Sequence, residues 1–250
     1  MSNLLHATAR HLNGGKNATA AVILAAGSST RMGKDQNKQF LKVNGIPVLA
    51  RTLLAYQKCD LIRQIVVVAR PADFEQILAI RNHYGITKLN KLVPGGASRQ
   101  DSARKGVNNV DSKMRYVAVA DGARCLVTPE IIRRVCLRAY EFKAASAGHQ
   151  ICSSVKRTSA LGTVRATVDR DNLWVAQTPQ IFHTSLYHAA LYKATADKFE
   201  VTDDNALIEH LGYQVKMVEC GRENIKITKP EDLAFAEAIV AYRESDSKKG

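Results

Sequence analysis

Four short apolar runs, Ala20–Leu24, Ile65–Ala69, Lys88–Val93 and Tyr116–Ala120, recur at spacings too long for hairpins. Segments with helical spacing accompany them: Ile46–Tyr56, Asp73–His83, Gln100–Val107 and Pro129–Phe142. In the first of these, Val48, Leu49, Leu53 and Leu54 fall on one stripe. Thr128 is a good N-cap ahead of Pro129 at the first helical turn. Strand–helix alternation of this kind implies right-handed crossovers and a mostly parallel sheet.

The alternation breaks near Gly148. Residues 150–175 carry no long helical stripe and read as extended segments with turns, an arm inserted for a partner subunit or substrate. Helical spacing returns at Ser185–Ala196 and Asp203–His210. A strand-like run, Tyr213–Val218, and a final helix, Pro230–Tyr242, follow. The expected fold is a single Rossmann-like, three-layer α/β domain over residues 20–245 with an inserted β-arm. Tails are expected at 1–19 and 246–250. A chain of 250 residues suits one large domain.

Composition narrows the function. The hydrophobic share is 46%, enough for a real core. No apolar run approaches the roughly 18–20 residues of a membrane span. Lysine and arginine outnumber acids 36 to 23, a net charge of +13. That balance suits an enzyme handling several phosphates or a nucleic-acid binder. The cations are scattered and aromatics are few, which favours the phosphate substrate. Five cysteines, with no CxxC pair, indicate neither a zinc site nor a disulfide framework, and a reducing cytoplasm is expected. The acid-poor residues 1–19 read as a frayed tail in preference to a targeting segment.

Phosphate chemistry is suggested most directly by Leu24–Lys34, "LAAGSSTRMGK", just after the first apolar run. Walker A is excluded: five residues separate Gly27 from Gly33, and Asp35 follows Lys34 where a hydroxyl is required. The Rossmann fingerprint is excluded because Ser28 and Ser29 follow Gly27. What remains is a small-residue turn that lets backbone N–H groups approach an anion. Arg31 offers a bidentate fork and Lys38 a point charge. An ordinary glycine–serine loop with solvated cations would read the same from these residues alone.

Further stretches carry a resemblance. "LAAGSSTRMG" with "NKQF", "PGGASRQDSARKGV", "VADGAR", "TVDRDNLWVAQTPQIF", "VTDDNALIEHLGY" and "ENIKITKPEDL" occur in that order. Together they resemble the 2-C-methyl-D-erythritol 4-phosphate cytidylyltransferases of non-mevalonate isoprenoid synthesis, over roughly Ala20 to Ala238. The resemblance implies transfer of CMP from CTP to a sugar-alcohol phosphate, with pyrophosphate released. The attacking phosphate oxygen is already anionic, so no general base is required. Cations and a metal would bring two polyanions together.

By the same resemblance, Ala25, Ala26 and Gly27 would line the nucleotide loop. Arg31, Lys38 and Lys226 would be catalytic, gripping the phosphates. Gly95, Gly96, Arg99 and Ser102 would sit by cytosine and ribose. Asp121, at the end of a strand, would hold Mg²⁺, although a helix-capping Asp is its plainer reading. Arg124, Thr158, Arg170, Thr178 and Thr202 would meet the acceptor. The arm would exchange between subunits and make a homodimer.

Some positions depart from the family pattern. Ala120 and Cys125 replace a histidine and a proline around Asp121. In "SSVKRTSA", Ser154, Arg157 and Ala160 replace proline, aspartate and lysine. A reversed charge at about 4 Å matters by roughly 1–4 kcal/mol at intermediate to high dielectric. The rival acceptor is ribitol 5-phosphate, whose enzymes tend to carry "LAGG" where this chain has Ala25-Ala26-Gly27, or another sugar phosphate. A second rival is a phosphate- or nucleic-acid-binding protein without catalysis.

Overall fold

The structure, a computed structural model, describes residues 17–27 and 37–246. Arg31 lies outside them, as do most of both expected tails. Thr19, expected in the tail, instead opens strand β1 (Thr19–Leu24), fully buried with its hydroxyl 2.7 Å from that of Tyr140.

A small antiparallel ladder, β2 (Lys42–Val43) and β3 (Ile46–Pro47), leads into helix α1 (Val48–Lys58). Strand β4 (Ile62–Ala69), helix α2 (Phe74–His83), strand β5 (Leu89–Pro94) and helix α3 (Arg99–Val107) follow. Next come β6 (Tyr116–Asp121), α4 (Pro129–Phe142) and β7 (Ala144–Gln150). The arm is an antiparallel ladder of β8 (Val155–Thr158) and β9 (Val164–Val168). The chain ends through β10 (Trp174–His183), α5 (Thr184–Ala196), α6 (Asn205–His210), β11 (Lys216–Glu219) and α7 (Glu231–Asp246).

Among the described residues, seven strands form one sheet in the order β11-β7-β10-β6-β1-β4-β5. All run parallel except β10, which pairs antiparallel with both neighbours. Both faces are covered, which is why the central strands read as unbroken apolar runs. Side-chain alternation then sorts each strand between two cores. Ala21, Ile23, Ile65, Val67, Ala118 and Ala120 join one, with residues of α1, α2 and α4. Val22, Val66, Val68, Val117 and Val119 join the other, with residues of α3, α5 and α6.

Thr128 caps α4 as expected, its Oγ1 accepting from Ile131 N at 3.2 Å. The strand expected at Tyr213–Val218 is confined to Lys216–Glu219, and the helix expected from Asp203 begins at Asn205. Strand β7 and most of β10 were not expected. Small and polar residues dominate β7, and Gln177, Thr178 and Gln180 interrupt any apolar run in β10. Among the described residues no helix is long and apolar enough to cross a membrane.

Candidate active site

The chain runs outward from β1 to β4 and β5, then returns to place β6 on β1's other side. Ligands of open α/β sheets bind outside the carboxyl ends of strands at such a reversal. Here Leu24, the last residue of β1, lies level with Asp121, the last of β6. A cleft of about 500 Å³ opens above them. Its lining includes Ala26, Gly27, Lys38, Gln39, Gly96, Arg99, Ser102, Asp121 and Lys226.

The loops around the cleft are pinned to the sheet. Ala25 N donates to Val68 O at 2.7 Å, and Gly95 N donates to Ala69 O at 2.9 Å. Ala25 is buried and Gly95 half-buried; neither belongs to the lining, but both support it. At Gly96 a Cβ would fall 2.1 Å from Asp101 Oδ2 and 2.7 Å from its Cβ, so a larger residue would have to displace Asp101. Gly96 N donates to Ser102 Oγ at 3.0 Å. That leaves the Ser102 hydroxyl proton available to a ligand. Ser98 caps α3 by accepting from Asp101 N at 3.0 Å.

Asp121 is the hub. It is 8% exposed and the only acid in the cleft lining among the described residues. Lys226 Nζ lies 3.0 Å from its Oδ2, Arg124 Nε 3.5 Å from Oδ2, and Arg99 Nε 3.6 Å from Oδ1. Burial pushes the carboxyl's pKa up, but Lys226, Arg99 and Arg124 outweigh it and hold the group below its ordinary value. Its backbone N–H donates to Thr178 Oγ1 at 3.1 Å. Thr178 is thus committed to the strand end and is 4% exposed.

The cations are themselves positioned. Arg99 Nη1 donates to Asp204 Oδ2 at 2.7 Å, and the Tyr187 hydroxyl donates to the other oxygen. Burial lowers the Arg99 pKa, but Asp204 and Asp121 raise it further, so the guanidinium stays charged. Arg124 Nη1 donates to Asn224 O at 2.7 Å. Asn224, wholly buried, donates to Gln177 Oε1 and Thr178 O, and Ile227 N donates to Ala123 O. These bonds anchor the segment that carries Lys226.

The expected residues therefore divide. Ala26, Gly27, Lys38, Gly96, Arg99, Ser102, Asp121 and Lys226 converge on the cleft, with Ala25, Gly95, Arg124 and Thr178 against them. Thr158 and Arg170 stand exposed on and beside the arm, where an Arg170 N–H donates to Cys152 O. Thr202 is exposed ahead of α6. None of these three belongs to the cleft lining of a single chain. Gln39, Asp204 and Asn224 were given no role from sequence. Asp204 and Asn224 fall inside "VTDDNALIEHLGY" and "ENIKITKPEDL", and that was their only signal. Gln39 is 3% exposed, and its Oε1 has no hydrogen-bond partner among the described residues.

A mostly parallel sheet, a switch-point cleft built from small-residue loops and an excess of cations define an α/β protein of the nucleotide-handling class. A family model described as IspD, 2-C-methyl-D-erythritol 4-phosphate cytidylyltransferase, matches residues 19–242. The chain belongs to that family. A protein of that name from Caldanaerobacter subterraneus subsp. tengcongensis is 42% identical over 223 residues, covering 88% of this chain and 98% of the relative. One from Synechococcus sp. is 40% identical over 222 residues, covering 89% and 99%. Among solved structures, a 4-diphosphocytidyl-2C-methyl-D-erythritol synthase from Anaerococcus prevotii aligns with a TM-score of 0.82 at 29% identity, covering 92% of this chain and 99% of that one. The Thermus thermophilus cytidylyltransferase aligns with a TM-score of 0.73 at 28% identity, covering 89% and 98%.

Proposed function

We propose that this chain transfers CMP from CTP to 2-C-methyl-D-erythritol 4-phosphate for isoprenoid precursor synthesis, giving CDP-methylerythritol and pyrophosphate. The observation that carries this reading is the Asp121 cleft, with Lys38, Arg99 and Lys226 on its lining, in a chain of this family. An oxygen of the acceptor phosphate attacks the α-phosphorus of CTP. The bond from that phosphorus to the bridging oxygen breaks, and pyrophosphate leaves with the electron pair. The nucleophile is already anionic and needs no base. The chain's part is positioning and charge stabilisation.

In this reading Lys38 and Lys226, with Arg31, hold the phosphates. The loops at Ala25–Gly27 and Gly95–Gly96 read the base, with Ser102 and Arg99 beside the ribose. Asp121 would hold Mg²⁺. Among the described residues no cluster of three or more His, Cys, Asp or Glu could hold a metal ion. One carboxylate kept ionised does fit a hard cation that takes its other ligands from phosphates and waters. Mg²⁺ there would neutralise charge on the phosphate oxygens.

Arg124, Thr158, Arg170, Thr178 and Thr202 complete the acceptor side. Thr158 and Arg170 stand exposed on and beside the arm, as a homodimer whose 150–175 arms serve each other's sites requires. The cytoplasm is the proposed compartment, in keeping with five free cysteines.

The test is pyrophosphate release with Mg²⁺ and each of four nucleoside triphosphates, with methylerythritol phosphate and ribitol 5-phosphate as parallel acceptors. Release is expected only with CTP and methylerythritol phosphate. Release with ribitol phosphate alone would replace the acceptor, and release with no pair would overturn the activity. Lys38→Ala is expected to lower turnover by about two to three orders of magnitude, as for loss of an oxyanion-type contact.

A further inference from the structure

Asp73 closes the 3-10 turn Pro71–Asp73 that leads straight into α2, and it is only 7% exposed. Arg70 holds it with a fork, Nε to Oδ2 at 2.8 Å and Nη2 to Oδ1 at 2.8 Å. The remaining partner comes from a distant part of the chain: Asn37 Nδ2 donates to Oδ2 at 3.0 Å. The carboxylate thus joins a local ion pair with Arg70 to a contact with a segment 36 positions away.

Asn37 opens the turn that carries Lys38. Its O accepts from Phe40 N at 3.0 Å, and its Oδ1 accepts from Gln39 N at 3.1 Å. The far side of the turn is tied to α1, where Leu49 N donates to Gln39 O at 2.9 Å and Val48 N to Leu41 O at 2.8 Å. Lys38, on the cleft lining, therefore sits between two anchors. One is the start of α1 and the other is Asp73. The Arg70 fork fixes the carboxylate, the carboxylate fixes Asn37, and Asn37 fixes the backbone of Lys38.

We infer that Asp73 is a positioning residue for Lys38, acting through Asn37 and braced by Arg70. The inference rests on the reading of Lys38 as a phosphate-gripping residue. It assigns to a carboxylate outside the cleft lining a part in setting the transition-state contact. Loss of the anchor then lowers kcat, while the acceptor's KM stays put.

The experiment is a double-mutant cycle. Asp73→Ala and Asn37→Ala are each made in the wild-type chain and in Lys38→Ala, and kcat and both KM values are measured by release of labelled pyrophosphate. In the wild-type background each is expected to lower kcat about tenfold or more. In the Lys38→Ala background each is expected to change the residual kcat less than threefold, because the group being positioned is already gone. Equal losses in both backgrounds would overturn the inference, as would wild-type kcat in Asp73→Ala. If Asp73→Ala does not fold, Asn37→Ala severs the same link while leaving the Arg70–Asp73 pair intact and decides alone. Lys38→Ala by itself separates the two ideas: near-normal turnover would sink the role of Lys38, whereas equal losses across the cycle would sink only that of Asp73.

Discussion

At the scale of single residues, the site is one buried carboxylate made tolerable by half-buried cations. Taking the Asp121 carboxylate out of water is costly, and Lys226, Arg99 and Arg124 offset that cost, with Arg99 held in turn by Asp204 and Arg124 by Asn224. Shape matters as much at Gly95. A Cβ there would fall 2.4 Å from Ala26 Cβ, an atom fixed to its own backbone, so the two loops would have to part. Gly95→Ala is expected to destabilise the protein by about 1–3 kcal/mol, as overpacking does, and to raise the KM for CTP. Thermal unfolding and steady-state kinetics check this; wild-type values in both would show that the loops yield freely. Asp121 was legible in the sequence because it directly follows an apolar run, and Gly95 through the resemblance carried by "PGGASRQDSARKGV". Asp73, Asp204 and Asn224 were not. The contacts that tie them to the site span 36, 105 and 100 positions, and no local pattern records a contact at that range.

At the scale of elements, α3 is set close onto the sheet by Gly106. A Cβ there would lie 2.4 Å from Val22 Cγ1 and 2.7 Å from Val68 Cγ2, both on wholly buried side chains. Alanine would gain up to about 1 kcal/mol of helix propensity. Overpacking against two rigid valines costs about 1–3 kcal/mol. Gly106→Ala is therefore expected to be net destabilising by about 1 kcal/mol or more, read by urea denaturation; a stabilised variant would mean the helix lifts without penalty.

The turn before α7 has a different device. Burial pushes the Asp232 carboxyl's pKa up, but hydrogen bonds from Thr228 N, Lys229 N and Thr228 Oγ1 outweigh it and hold it below the ordinary carboxylate value. The folded pKa lies below the unfolded one. The stabilisation is thus present above the unfolded pKa and lost as pH falls through the folded one. Asp232→Asn is expected to flatten the fall in unfolding free energy between about pH 5 and pH 3, where carboxylates of this kind take up protons. Identical slopes in the two proteins would remove Asp232 from the acid response. The helices and the inner strands were legible because their spacing is regular. β7 and β10 were not, because their buried polar residues, such as Ser146 and Gln180, find partners on other elements: Ser146 Oγ accepts from Asn205 and Gln180 Oε1 from Asp204 N.

At the scale of the whole molecule, the proposed dimer makes each site the joint property of two chains. Lys38→Ala and Arg170→Ala damage opposite contributions, one to the cleft and one to the arm. Co-expressed, they would form mixed dimers in which one site has an intact cleft and an intact partner arm. Random pairing gives roughly a quarter of wild-type activity from two nearly inactive chains, given closed two-fold symmetry. Activity no greater than the mean of the two variants would show that each arm serves its own cleft or none. Light scattering at micromolar concentration would independently report the dimer.

The single antiparallel strand has a consequence for how the chain is made. β10 fills the gap between β6 and β7. Until residues 174–183 leave the ribosome, β6 presents an open edge of unpaired amides beside the completed β1, β4 and β5. An unpaired edge of this kind is a template for unwanted strand addition. The β6 edge therefore stays unpaired through the whole synthesis of α4, β7 and the arm, and a ribosome pause in that interval lengthens the period at risk.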